Sequence, residues 1–268
     1  MTDGEAQVAA AEPVLLASTE GRVRRLVLNR PDALNAFNDA LYRAAAAALD
    51  DAAADPGVAV VVLTGAGRAF SAGQDLAELG DARSHAQRVA DGFGPFMAAL
   101  EGFPKPLVAA VNGLGVGIGL TMLPHCDIVL MAAEARLRAP FVPLGVTAEA
   151  GSSLLLPAIL GWGAAAHLLF TGAWLDAGAA KAAGLAWKVV PGADLAAEAM
   201  AVAGQIAAQP VPALVATKSV MRAARADALR AARDREDAAF AVLVGGPANR
   251  EAIAAFQEKR PPDFSGVV

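Results

Sequence analysis

The chain has one cysteine, Cys126, among 268 residues. A lone thiol excludes an internal disulfide framework and a cysteine-built zinc site. The three histidines, His85, His125 and His167, stand apart from one another, so they do not make a ligand set and no metal is expected. Positive charge is short: 22 Lys and Arg against 27 Asp and Glu leave a net charge of −5. A nucleic-acid binder would carry a basic patch. The small clusters at Arg22, Arg24 and Arg25 and at Lys259 and Arg260 read instead as solvated surface charge. No apolar stretch reaches the length of a membrane span without a Gly, Pro or charged break. The opening MTDGEAQVAAAEP is acidic and lacks the basic start of a signal peptide. A GxSxG elbow and a P-loop are missing as well. These absences predict a cytoplasmic protein with no nucleic-acid and no membrane partner.

What the chain has in abundance is apolar residues, at 56% with very many alanines. That composition and length suit one large domain with a sizeable core. Residues 1–12 read as a frayed tail, 13–190 as a core and 191–268 as a helical region of the same domain. VLLAST and RVRRLVL form a strand pair around a turn at Glu20–Gly21. NRPDALNAFN is a loop, and Asn38 is placed to cap a helix over 39–54. VAVVVLTG, PLVAAVNG and DIVLMAAE read as buried strands, GLTMLPHC as a buried helix, and strand–turn–helix succession predicts a parallel α/β arrangement. After Gly151 the pattern is mainly helical, with a short strand in LAWKVVP and helices over 194–208, 211–225 and about 228–256.

Two blocks carry the chemistry. Residues 61–76, VVLTGAGRAFSAGQDL, and residues 108–128, VAAVNGLGVGIGLTMLPHCDI, are each an apolar strand, a glycine-rich turn and a helix-like segment. Glycine lets a main chain approach a ligand closely, so two such turns can aim N–H groups at one spot. A pair of N–H donors facing a carbonyl oxygen is an oxyanion hole. GLGVGIG also mimics a dinucleotide fingerprint superficially.

The FSAGQDL and NGLGVGIGL…CDI blocks resemble the crotonase superfamily, the enoyl-CoA hydratase/isomerase proteins, over about residues 13–262. The resemblance implies an α/β fold with a ββα-spiral core and a C-terminal helical trimerisation layer, hence a homotrimer or homohexamer. It implies an acyl-CoA thioester substrate and no separate cofactor, coenzyme A being part of the substrate. By the same resemblance the oxyanion donors are the main-chain N–H groups of Gln74 and Ile118, the latter within the triplet Gly117–Ile118–Gly119. Ala69 and Ala72 join the Gln74 main chain around the adenine and pantetheine. Phe256 and Lys259, in AFQEKR, match a C-terminal segment that meets coenzyme A from a neighbouring subunit. Arg30 and Leu34 are placed along the cleft.

Family hydratases use two glutamates, at the positions held here by Thr121 and Phe141. Hydration needs one group to activate water and another to protonate the α-carbon, and neither residue can do so. A third acid, Glu149 in FVPLGVTAEAGSSLLLP, resembles the single proton-carrying carboxylate of Δ3,Δ2-enoyl-CoA isomerases. Its alternative is a plain cap on the helix beginning at Ser152. Asp75 reads as a helix cap and Asp127 as a structural residue. Residues 81–96 are expected to shape the acyl pocket. The expected activity is thus isomerisation of 3-enoyl-CoA to 2-enoyl-CoA. The alternatives are a hydratase-like enzyme or other crotonase-type lyase, and a non-catalytic acyl-CoA-binding homologue.

Overall fold

The computed structural model describes residues 12–75, 87 and 89–267. Residues 1–11 of the tail, and 81–86 and 88 of the 81–96 segment, lie outside the described residues.

Strands β1 (Leu15–Glu20) and β2 (Val23–Leu28) pair antiparallel, with Leu15 opposite Leu28. The side chain of Asn38 accepts a hydrogen bond from the Leu41 N–H at 2.9 Å and starts α1 (Asp39–Ala54), as its type and place predict. The chain then repeats one manoeuvre three times. A long strand, β3 (Val60–Gly65), β5 (Leu107–Val111) or β7 (Ile128–Ala132), is followed closely by a short one, β4 (Ala69–Ser71), β6 (Leu114–Val116) or β8 (Arg136–Arg138). The long strands enter a six-stranded sheet in the order β1-β2-β3-β5-β7-β10, the last being Lys188–Val190, parallel from β2 onward. The short strands build a second sheet, β4-β6-β8-β9, the last being Trp174–Asp176. Each winding therefore advances both sheets by one strand, which makes a spiral. Strand β5 is buried along its whole length and β3 along all but its last residue, so near-continuous apolar runs are what the packing requires.

Helix α2 (Gly94–Gly102) packs on α1. Phe37, Tyr42, Phe93 and Phe96 meet there as an aromatic cluster with ring centroids 4.7–6.0 Å apart. Helix α3 (Ile118–Thr121) is a single turn leading into a 3-10 turn at Leu123–His125. Beyond β8 come α4 (Ser152–Leu160), α5 (Trp162–Thr171), β9 (Trp174–Asp176), α6 (Ala177–Ala182) and β10 (Lys188–Val190). The C-terminal helices are α7 (Leu195–Ala207), α8 (Val211–Ala223), α9 (Ala226–Leu243) and α10 (Pro247–Gln257). Buried Lys218 of α8 fastens this region to the spiral, bonding the Asp127 carboxylate at 2.7 Å and the Lys105 carbonyl at 2.8 Å. Asp127 also accepts the Leu107 N–H, so its structural reading holds. Among the described residues no single helix is long and apolar enough to cross a membrane.

Three expectations need correction. The helix over 228–256 is two helices, because Gly245 turns left-handed at φ +70° and Pro247 opens α10. The GLTMLPHC helix is one α turn followed by a 3-10 turn. The loop over 29–38 contains a 3-10 turn at Pro31–Ala33.

Candidate active site

Strands β4 and β6 run parallel, with Ala69 opposite Leu114 and Ser71 opposite Gly115, so their C-terminal turns emerge side by side. Those turns are Gly73–Gln74 and Gly117–Ile118. Gly73 has φ +95°, and a Cβ there would stand 2.8 Å from the Val116 carbonyl oxygen and 3.8 Å from Gly117 Cα. A Cβ on Gly119 would stand 2.5 Å from the Ser71 carbonyl oxygen, so only glycine lets α3 sit on β4. Residue 74 forms a parallel bridge with Phe37 in which Phe37 N–H donates to Gly73 O and Asp75 N–H to Phe37 O. The Gln74 N–H therefore faces away from Phe37. Ile118 is the first residue of α3, where an N–H has no intrahelical partner. Among the described residues no hydrogen bond takes up the N–H of Gln74 or of Ile118. Gly117 is itself committed, its N–H to the Arg138 carbonyl and its own carbonyl to Leu120 and Thr121.

Several side chains that the sequence does not single out brace these turns. Buried Asn35 donates to the Ala66 and Ala69 carbonyls at 2.8 Å and accepts the Arg30 N–H. Asn112 donates to the Gly67 and Ala69 carbonyls. The Ser71 hydroxyl donates to Asn35 O and accepts the Gly73 N–H. The Tyr42 hydroxyl donates to Gln74 Oε1 at 3.0 Å, anchoring that side chain in the aromatic cluster. The available signal is the polar residue types in NRPDALNAFN and VNG, which carry no indication of what they bond.

Glu149 lies in the turn before α4. The sequence leaves open that it caps this helix, and the structure overturns that. The cap is Glu236 of α9, whose carboxylate accepts the Gly151 N–H at 2.6 Å and the Ser153 N–H at 2.7 Å. Glu149 gives Ser152 only its main-chain carbonyl. Burial, then the charges of Glu236 and Asp237, push its carboxyl up to about 8. The connection from β8 to α4 is tied to the second glycine block at both ends. Gly117 N–H meets Arg138 O, and His125 Nε2 lies 2.8 Å from Ala150 O. Buried His125 is pushed down to about 4 and stays neutral. Burial pushes the Cys126 thiol up to about 12, so it is no nucleophile at neutral pH.

The remaining residues are placed as follows. Ala69 is buried in β4, and the Ala72 N–H donates to Leu34 O, which sets Leu34 against the first glycine block. Arg30 pairs with Asp75 at 2.8 Å and donates to Ala36 O, while any helix that Asp75 could cap lies outside the described residues. Phe256 and Lys259 are exposed at the far end of α10, a helix that docks on the 142–145 turn through Asn249 and the Leu144 carbonyl. Among the described residues no group of His, Cys, Asp and Glu could hold a metal ion.

The sequence model of the enoyl-CoA hydratase/isomerase family matches residues 18–267. The chain belongs to that family. A 2,3-dehydroadipyl-CoA hydratase of Escherichia coli strain K12 is 37% identical over 253 residues, 94% of this chain and 98% of that protein. A 1,2-epoxyphenylacetyl-CoA isomerase of the same strain is 35% identical over 258 residues, 94% and 98% of the respective chains. A crystal structure of an enoyl-CoA hydratase/isomerase from Pseudoalteromonas atlantica T6c superposes with a TM-score of 0.89 at 37% identity, covering 94% of this chain and 100% of that one. The fold is accordingly the crotonase spiral, and the activity is of the enoyl-CoA hydratase/isomerase type on acyl-CoA thioesters. For this family member the two positions where the resemblance expects hydratase acids are both buried. Thr121 is fully buried with its hydroxyl unpartnered, and Phe141 packs into the hydrophobic core.

Proposed function

We propose that this family member is a Δ3,Δ2-enoyl-CoA isomerase in which Glu149 alone carries the proton. The observation that carries the reading is the half-buried Glu149 carboxyl, raised to about 8, in a chain whose two hydratase positions hold no acid. The Gln74 and Ile118 N–H groups receive the thioester oxygen. Glu149, as carboxylate, removes a proton from C2 of a 3-enoyl-CoA. The electron pair moves onto the thioester oxygen as a dienolate, which the two N–H donors stabilise. The protonated Glu149 then delivers the proton to C4, the double bond re-forms between C2 and C3, and the carboxylate is restored. A carboxyl with its midpoint near neutrality both takes and gives a proton readily. Hydration would need a second acid–base group to bring in water, and the two relatives named above bear both reaction names at nearly equal identity.

Coenzyme A is expected along Arg30, Leu34, Ala69, Ala72, Gly117 and Gly119, with Phe256 and Lys259 supplied by an adjacent copy. Exposed Trp162, Phe170, Val220 and Met221 give the helical region apolar surface that suits burial in a homotrimer or a pair of trimers. Product analysis after separate incubation with 3-enoyl-CoA and 2-enoyl-CoA tests the function. The expected result is 2-enoyl-CoA from the first and little 3-hydroxyacyl-CoA from the second. Rapid hydration of 2-enoyl-CoA would make the protein a hydratase, and binding without turnover of either would make it an acyl-CoA-binding homologue.

A further inference from the structure

The turn that presents Glu149 is held by a residue far along the chain. Ala150 and Gly151 are both left-handed, at φ +60° and +72°, and for alanine that conformation is costly. Such a turn persists only if its surroundings fix it. His125 grips the Ala150 carbonyl, Ser152 grips the Glu149 carbonyl, and buried Glu236 grips the N–H groups of Gly151 and Ser153. Gly151, as N-cap of α4, has no side chain to satisfy those donors, so the cap comes from α9, 85 residues on from Gly151.

We propose that Glu236 is a positioning residue for Glu149: it clamps the turn that presents the Glu149 carboxyl, and its negative charge sets the pH range in which that carboxyl exchanges its proton. The inference rests on the reading of Glu149 as the proton carrier. From α9 the groups acting on Glu149 are Glu236 and exposed Asp237, both negative. The 123–125 turn contributes His125, which is neutral and meets the Ala150 carbonyl. The nearby cations act on His125 and are engaged elsewhere: Arg222 with the Phe103 carbonyl, Arg225 with the Pro124 carbonyl and Arg233 with Glu101. Glu236 is thus both a mechanical clamp and, of the two like charges beside the base, the one that acts on it more strongly.

The test is kcat/KM for 3-enoyl-CoA against pH in wild type, Glu236→Gln and Asp237→Asn, with a carbon-13 NMR titration of the Glu149 carboxyl in each. As the base, Glu149 must be ionised, so activity rises with pH through its midpoint. Glu236→Gln removes a like charge and one of two acceptors. It should move the acid limb and the NMR midpoint down by on the order of one pH unit. It should also lower kcat about tenfold while KM holds. Asp237→Asn should move the limb the same way by less. A Glu236→Gln rate that falls equally at every pH, with the limb unmoved, overturns the proposal. If Glu236→Gln does not fold, Glu236→Asp keeps the charge on a shorter arm. Then kcat should fall with the limb in place, and a wild-type rate or a moved limb overturns the proposal. If Glu149→Gln isomerises at the wild-type rate, the reading of Glu149 as the proton carrier falls by itself. The Glu236 inference is then judged by the NMR midpoint alone, and an unmoved midpoint in Glu236→Gln overturns it.

Discussion

The paired turns at Gly73–Gln74 and Gly117–Ile118 are held in place differently from the turn at Glu149–Gly151. The first pair is shaped by neighbours in sequence. Two short parallel strands set the turns side by side, and Gly73 and Gly119 pack where a Cβ would stand 2.5–2.8 Å from a carbonyl oxygen. Its proposed chemistry uses main-chain N–H groups and is indifferent to side chains. The second turn offers a single side chain; its shape depends on Glu236 from another helix, and its charge state on burial and then on Glu236 and Asp237. A site can therefore combine a part that is local and rigid with a part that is remote and tunable. The first should break by steric or backbone changes, the second by charge changes.

The sharpest way to break the comparison is Glu149→Gln, which keeps size and removes the proton site. Isomerisation of 3-enoyl-CoA should fall by about a hundredfold to ten-thousandfold, the usual worth of general acid–base catalysis, with KM nearly unchanged. A wild-type rate would remove Glu149 from the mechanism.

Next in size is Gln74→Pro, which deletes an N–H. It should cost on the order of a hundredfold in kcat, whereas Gln74→Ala keeps the N–H and loses only the Tyr42 contact, with a much smaller effect. Equal losses for the two variants, both folded, would show that the side chain and not the backbone acts here.

Gly73→Ala tests the glycine turns mechanically. The new Cβ would meet the Val116 oxygen at 2.8 Å in a backbone at φ +95°, so urea unfolding should show a loss of about 1–3 kcal/mol. A stability equal to wild type would mean the two turns can separate at little cost.

The last test reads stability against pH. The folded midpoint of Glu149, about 8, lies above its ordinary value of 4.5. The fold therefore favours the protonated form, and this contribution is full below pH 4.5 and is lost as pH rises to about 8. The gain in melting temperature of Glu149→Gln over wild type should grow across that window and level off above it. A difference that stays flat with pH would mean the carboxyl is solvated.

Part of this architecture is legible in the order of residues. Asn38 caps α1 as its type predicts, because a cap bonds within three residues of itself. The long buried strands announce themselves as continuous apolar runs. Strands β4, β6, β8 and β9 do not, because three residues carry no period, and their pairing partners are set by the spiral. Helix α2 is hidden because its sequence, GPFMAALEG, begins in glycine and proline at the end of a segment that reads as a pocket loop. Arg30 falls along a predicted cleft, but nothing local points to the Asp75 carboxylate that holds it.

The sequence alone determined where the two glycine turns fall, that Thr121 and Phe141 stand where acids would serve hydration, and that Glu149 is the remaining candidate. The glycine turns follow from residue type and order, since a glycine's permitted backbone angles are a local fact, whereas the places of Thr121, Phe141 and Glu149 follow from the resemblance of their flanking blocks to the family. Only the tertiary structure decided that β4 and β6 bring the turns together, that Tyr42 anchors Gln74, and that Glu236 rather than Glu149 caps α4. It also decided that the Glu149 midpoint lies near 8. Proton affinity is set by the solvent and charge around a group, and here that environment is assembled from helices joined only when the chain has folded.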